Sequence, residues 1–244
     1  MEKKVVSNNY FDELNRLKNS WNSILYHDGD YLIKRLYDPD CGETYEKREN
    51  RLELLGNISE PEFVIPRYLV YTDEAITSNI KGYGMDYLED YNHVSSLLNN
   101  DNYSHKEKLE ICKNICDLII SLEKYKVAYW DVHSENLLIK DNKIRICDMD
   151  SVTSKKVDGD FIYRVDLAES YKHLTSLVLS ILYGIDEFDL IKILERKKSR
   201  KFVKDSKMLS RIADKDGYIF YPDKYIDLFT EDYVEETKKA LIKR

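Results

Sequence analysis

The chain has 244 residues, 43% of them apolar, with a formal net charge of −7 and a pI near 5.4. That length suffices for one sizeable core or two lobes around a cleft, and the apolar share excludes disorder as the dominant state. The acidic balance opposes broad attraction to nucleic acid or to an anionic membrane surface, so no nucleic-acid partner is expected.

No stretch approaches the roughly 18 continuous apolar residues of a membrane span, and MEKKVVSNNYFDEL at the start carries no apolar signal region. A cytoplasmic location is therefore the expectation. The cysteines, Cys41, Cys112, Cys116 and Cys147, are too few and too scattered for a disulfide scaffold. Cys112 and Cys116 stand four apart on a predicted helix with no second Cys or His pair nearby, which favours core packing over a metal site.

In chain order, SILYHDGDYLIKRL reads as a β-hairpin turned by Asp28-Gly29, with Lys34 on the returning strand. ETYEKRENRLELLGN predicts a helix with Tyr45, Glu49 and Leu52 on one face and Gly56-Asn57 as its stop. Extended segments follow at 67–72 and 81–88, rich in Tyr, Val, Ile and Leu. The first part of the chain thus reads as a small sheet with one helix.

Helical character then takes over. Ser104 and Glu107 form a capping-box signature ahead of an amphipathic run through Leu109, Cys112, Ile115, Cys116, Ile119 and Leu122. LLIK at 137–140 and IRIC at 144–147, joined by Asp141-Asn142-Lys143, predict a second hairpin. LTSLVLSILYG at 174–184 is apolar nearly all round, as a buried helix is. The basic run RKKSRKFVK at 196–204 reads as a solvated helix end, and the 20 tyrosines, spread along the whole chain, as compositional bias.

The chemistry concentrates in YWDVHSENLLIKDNKIRICDMD, where Asp131 precedes the second hairpin, Asn136 opens it and Asp148 closes it. Phosphoryl transfer needs little covalent help; it needs a divalent ion on the phosphate oxygens and an in-line hydroxyl with a carboxylate near its proton. The oxygens of a carboxamide and a carboxylate are hard ligands that suit magnesium.

DVHSENLLI followed by ICDMD resembles the catalytic loop and metal-binding turn of the protein kinase superfamily, whose patterns are HRDxxxxN and DFG. The resemblance makes Asp131 the match of the catalytic-base aspartate, and Asn136 and Asp148 those of the two magnesium ligands. YLIK resembles the family's VAIK strand, which makes Lys34 similar to the lysine on the α- and β-phosphates, with Glu49 as its helix partner and Glu46 as a second candidate. GMDYLED resembles the hinge, placing a gatekeeper-like Met85 beside the adenine, with Asp86, Leu88 and Leu138 as further nucleotide contacts. His133 stands where a phosphate-contacting lysine is common, and Trp130 reads as packing the lobe beside the loop, with substrate contact near Asp131 as the alternative. The resemblance covers roughly residues 22–185.

The chain departs from the family pattern at several points. Its first glycine is Gly29, so no glycine-rich loop precedes Lys34, and Leu32 occupies the usual alanine position. Tyr129-Trp130-Asp131 lacks the HRD arginine, and the segment after Asp148-Met149-Asp150 is short, with no APE-like sequence. The DMDS turn also resembles the D-x-D turns of divergent bacterial kinase-like proteins and of sugar- or lipid-directed relatives.

The resemblance implies an α+β, protein-kinase-like bilobal fold, with an N-lobe at 1–88 and a mainly helical C-lobe at 89–244. It implies transfer of the γ-phosphate of ATP with magnesium to a hydroxyl, protein serine or threonine first. The partners are then a nucleotide and a protein or small-molecule phosphoacceptor. The alternatives are a pseudokinase serving as a binding module, and a small-molecule kinase or nucleotidyltransferase on the same fold.

Overall fold

The computed structural model describes residues 1–20, 22–39, 43–72, 79–98, 103–185 and 226–235. The basic run at 196–204 lies outside them.

Six strands of the first half form one sheet. They are β1 (Glu2–Val6), β2 (Asn15–Asn19), β3 (Ser23–Asp28), β4 (Tyr31–Leu36), β5 (Pro66–Thr72) and β6 (Gly82–Asp86), in the order β1-β5-β6-β4-β3-β2. β1 runs parallel to β5, with Glu2 opposite Tyr68 and Val6 opposite Thr72, and the remaining pairs are antiparallel. The β3–β4 hairpin forms as its sequence requires, with Gly29 at φ +61°, a conformation that costs glycine nothing.

The sheet is larger than the small one expected, because β1 and β2 come from the first 21 residues, where no motif was legible. Between them the short helix α1 (Tyr10–Glu13) turns Phe11 under the sheet. There Phe11 joins Val6, Tyr26, Ile33, Tyr68 and Val70 in a small second core.

The other face of the sheet opens on the main core. Helix α2 (Tyr45–Leu55), capped by the Thr44 hydroxyl on the Lys47 N–H, contributes Leu52 and Leu55. The same core takes in Leu69, Tyr83 and Met85 from the sheet and Ile115, Ile119, Leu174 and Val178 from the later helices. A continuous core therefore joins the sheet to the helical half.

In the second half β7 (Asn92–His93) precedes helix α3 (His105–Ser121), whose capping box forms in full: Ser104 accepts from the Glu107 N–H and Glu107 accepts from the Ser104 N–H. Its buried residues, Ile111, Cys112, Ile115, Cys116 and Ile119, follow the helical period, so both cysteines are core packing. Strands β8 (Val127–Tyr129), β9 (Leu137–Lys140), β10 (Lys143–Ile146) and β11 (Val152–Ser154) make two small sheets, β10-β9-β7 and β11-β8. The β9–β10 hairpin turns through Asp141 and Asn142, both at positive φ, as a two-residue hairpin turn demands.

Helix α4 (Lys155–Asp158) leads into α5 (Asp160–Tyr183), whose final ten residues are all buried before Gly184 ends it in the left-handed conformation. The chain is thus mixed α+β, with a six-stranded sheet early and the long helices later. Among the described residues no helix is long and apolar enough to cross a membrane.

Candidate functional site

Strand alternation decides where Lys34 points. Ile33 enters the small core on one face, so Lys34 faces the cleft on the other, between Leu25 and Tyr83, its partners across the sheet. Only 2% of Lys34 is exposed, and a buried ammonium requires counter-charge. The metal-turn candidate supplies it. Lys34 Nζ donates to Asp148 Oδ1 and, at 2.7 Å, to Asp150 Oδ1, which also accepts from the Tyr83 hydroxyl at 2.9 Å. Residues 114 and 116 positions apart in sequence thus meet across the two halves.

The turn that presents both carboxylates follows directly from β10. Cys147 donates its N–H to the Asn136 carbonyl at 2.9 Å and its thiol to the same oxygen, which ties the hairpin's two ends together. Asp148 sits at φ +58°, a region that Asp visits more readily than most residues but still at some cost. Met149 is buried in the core. With that side chain as an anchor, Asp148 and Asp150 fall on the cleft side at different depths: the Asp148 side chain is 36% exposed and that of Asp150 12%.

The charges are mutually adjusted. Burial disfavours the Lys34 ammonium, but Asp150 and Asp148 outweigh it and hold the lysine above its ordinary value. Burial likewise opposes the charge on Asp150, yet Lys34 and Tyr83 keep that carboxyl below its usual range. Asp148 goes the other way, pushed up by burial and by the neighbouring Asp150 charge, which Lys34 only partly offsets.

The second group of candidates lies on the loop between β8 and β9. Asn136 Nδ2 donates to Asp131 Oδ2 at 3.0 Å and to the Asp131 carbonyl at 3.1 Å. His133 Nδ1 accepts the Glu135 N–H at 3.3 Å, which leaves Nε2 as the proton-bearing nitrogen, 3.6 Å from Asp131 Oδ1. Burial would raise the Asp131 carboxyl, but His133 and Asn136 more than compensate and hold it below its usual value. The loop is buttressed from α5, where His173 Nδ1 donates to the Trp130 carbonyl at 2.7 Å and the Ser170 hydroxyl to that of Tyr129. The Tyr129 hydroxyl in turn reaches the Cys147 carbonyl at 3.1 Å, linking loop and turn.

Glu49 does not reach Lys34. It accepts from Lys3 Nζ at 2.6 Å, on the edge strand β1, with Tyr71 on β5 as a further partner. Two physical reasons account for the correction. Burying Leu52 and Leu55 sets the helix phase so that Arg48, one turn before Leu52, faces inward rather than Glu49. The added strand β1 then brings a lysine to the flank where Glu49 emerges. Glu46, the second candidate, is exposed on the same helix.

In place of a helix carboxylate, the cleft side of α2 offers two arginines. They line a cavity of about 240 Å³ with Leu52, Trp130 and Asp150. Both are clamped by Glu43, at 2.7 Å to Arg48 Nη2 and 2.8 Å to Arg51 Nη1, and Arg51 also reaches Asp158 at 3.0 Å.

The expected nucleotide contacts are placed as follows. Met85 is buried on β6 opposite Leu32, the Asp86 side chain pairs with Arg67, and Leu88 packs partly against the main core. Leu138 is half-buried on β9 opposite Arg145 and His93. Among the described residues no three His, Cys, Asp or Glu side chains gather as a metal cluster. Magnesium does not require one, since it is commonly held by one or two carboxylates together with substrate phosphates and water. The partly exposed carboxylate of Asp148, paired on one oxygen with Lys34 and tied through the Cys147 main chain to Asn136, fits that demand.

Reading the sequence missed Asp150 and Tyr83. The signal was present for both, in the D-x-D spacing and in a tyrosine on the strand that pairs with Lys34. The chain matches no protein-family model and no curated protein.

Proposed function

We propose that the chain is a protein-kinase-like, ATP- and magnesium-dependent phosphotransferase with a bilobal arrangement about this cleft. The observation that carries the reading is the meeting of Lys34 with Asp148: an amine from the sheet and an oxygen ligand from the helical half converge on one point. That convergence suits a triphosphate and its ion and has little value on an inert surface.

In this reading Lys34 binds the nucleotide phosphates, and Met85, Asp86, Leu88 and Leu138 border the adenine side. Asp148 and Asn136 are the residues that would hold magnesium, whose charge offsets that developing on the β- and γ-phosphates. Asp131, kept ionised by His133 and Asn136, takes the proton of the acceptor hydroxyl. The hydroxyl oxygen bonds to the γ-phosphorus as its bond to the bridging oxygen breaks, and ADP leaves. His133, beside Asp131, donates from Nε2 to the group in transfer on this reading.

Protein serine or threonine is the leading acceptor. The short segment from Ser151 to the start of α5 keeps a small-molecule acceptor in view. A separate observation favours a binding module instead: the connection from β2 to β3 holds no glycine, and Ser20 there donates to Asn22 at 2.8 Å rather than presenting an open phosphate loop.

Incubation with γ-labelled and α-labelled ATP in a cell lysate, with macromolecules then separated from small products, distinguishes the three. Asp131→Asn is expected to lower γ-phosphate transfer by about 10²- to 10⁴-fold. The rise in melting midpoint on adding ATP and magnesium should persist in that variant. Unchanged turnover would remove Asp131 from the mechanism. No midpoint shift and no transfer by the native chain would leave the binding module.

A further inference from the structure

Lys34 meets two carboxylates, and they are not equivalent. Asp148 is the more exposed and, on the phosphotransfer reading, gives its oxygens to the metal. Asp150 lies deeper, 2.7 Å from Lys34 Nζ, and is oriented by the Tyr83 hydroxyl at 2.9 Å. Tyr83 stands opposite Lys34 in the β4–β6 pairing, so the lysine, the tyrosine and Asp150 form one closed contact between sheet and turn.

From this geometry we infer that Asp150 is the positioning residue for Lys34, the part that a helix carboxylate plays where Lys34's pairing with Glu49 was expected. The inference rests on the phosphotransfer reading for its catalytic consequence, though the contact itself does not depend on it. The orientation of the phosphate-binding lysine is then fixed from the metal turn. On the cleft side of α2, Arg48 pairs with Glu43, and Arg51 with Glu43 and Asp158, so neither arginine holds Asp150 or Asp148.

The test compares Asp150→Asn, Tyr83→Phe and Glu49→Gln in the full chain by two readouts. The first is the split between KM for ATP and kcat. The second is the fraction of Lys34 acetylated by an N-hydroxysuccinimide acetate in a fixed time, measured by mass spectrometry, which needs no catalysis. Asp150→Asn is expected to raise KM for ATP by about 10- to 100-fold, as misplacement of a binding group does. It should also raise Lys34 acetylation, and Tyr83→Phe should move both in the same direction by less. Glu49→Gln should move neither.

A purely structural role for Asp150 would lower the melting midpoint while leaving KM for ATP unchanged, which overturns the inference. So does Glu49→Gln raising Lys34 acetylation as much as the Asp150 variant. Should Asp150→Asn fail to fold, Tyr83→Phe and Glu49→Gln decide: acetylation raised in the first and unchanged in the second supports the inference, and any other pattern overturns it. If the native chain neither binds ATP nor transfers phosphate, the phosphotransfer reading fails, and Lys34 acetylation alone still decides which carboxylate holds the lysine.

Discussion

Two lysines of the same sheet, Lys34 and Lys3, each meet two carboxylates, and their settings differ in almost everything else. Lys34 lies on a central strand with its side chain 3% exposed, against Asp148 and Asp150 from the other half of the molecule. Lys3 lies on the edge strand β1 with its side chain 51% exposed, against Glu49 and Glu53 on α2. The edge pair remains solvated and screened, so it contributes little to stability. The central amine has lost its water and depends on the carboxylates against it, and its removal leaves two acids without their counter-charge. Similar chemistry thus serves as a surface tether in one place and as a fixed part of a cleft in the other.

The sharpest way to break that comparison is to remove each amine in turn. Lys34→Met strands two carboxylates in the cleft and is expected to lower unfolding stability by about 3–5 kcal/mol, read by urea denaturation. Lys3→Met should lower it by less than about 1 kcal/mol. Equal losses would mean that burial is not what separates the two sites.

An intermediate case sharpens it. The Asp158 side chain is only 5% exposed, pairs with Arg51 at 3.0 Å, and accepts the Ser154 N–H at 2.9 Å, so it joins α2 to the segment beyond the Asp148–Asp150 turn. By the same side-chain measure its partner Arg51 is less buried than Lys34, at 14% against 3%, and one of the two Asp158 bonds is to the main chain. Asp158→Asn should therefore cost about 2 kcal/mol in the same measurement, between the central and the edge values. A cost below that of Lys3→Met would show that the tie between α2 and this segment carries no weight.

What the sequence disclosed and what it hid divide along the same line of distance. Local rules place Lys34: the alternation of YLIK sets its face, and the Asp28-Gly29 turn sets its strand. They also place Asp131, Asn136 and Asp148, because all three flank one hairpin. Strand β1 was illegible because its partner, β5, lies more than sixty residues on, and β2 because every one of its residues is exposed and carries no alternation. Glu49 was misjudged by a single helical step. Tyr45 and Leu52 could not by themselves fix the phase, and the lysine that claims Glu49 arrives on a strand that no local pattern announces. The D-x-D spacing was in view, but its second acid acquires meaning only when the sheet folds Lys34 and Tyr83 over it.

The smallest expected effect concerns Glu49 and its dependence on pH. Burial would raise its carboxyl, but the hydrogen bond from Lys3 and the nearby Tyr71 hydroxyl win and hold it below its ordinary value of 4.5. A carboxyl depressed in the folded state adds stability that is present above its unfolded pKa and is lost as pH falls through the folded one. Glu49→Gln should therefore be less stable than the native chain near neutrality, by less than about 1 kcal/mol because the pair is solvated. The gap should close as the pH is taken below about 4.5, where the unfolded chain takes up the proton first. Urea midpoints of the two proteins across that range provide the measurement. A gap that widens on acidification would place Glu49 in a setting where its neutral form is preferred, and the edge site would then belong with the buried one.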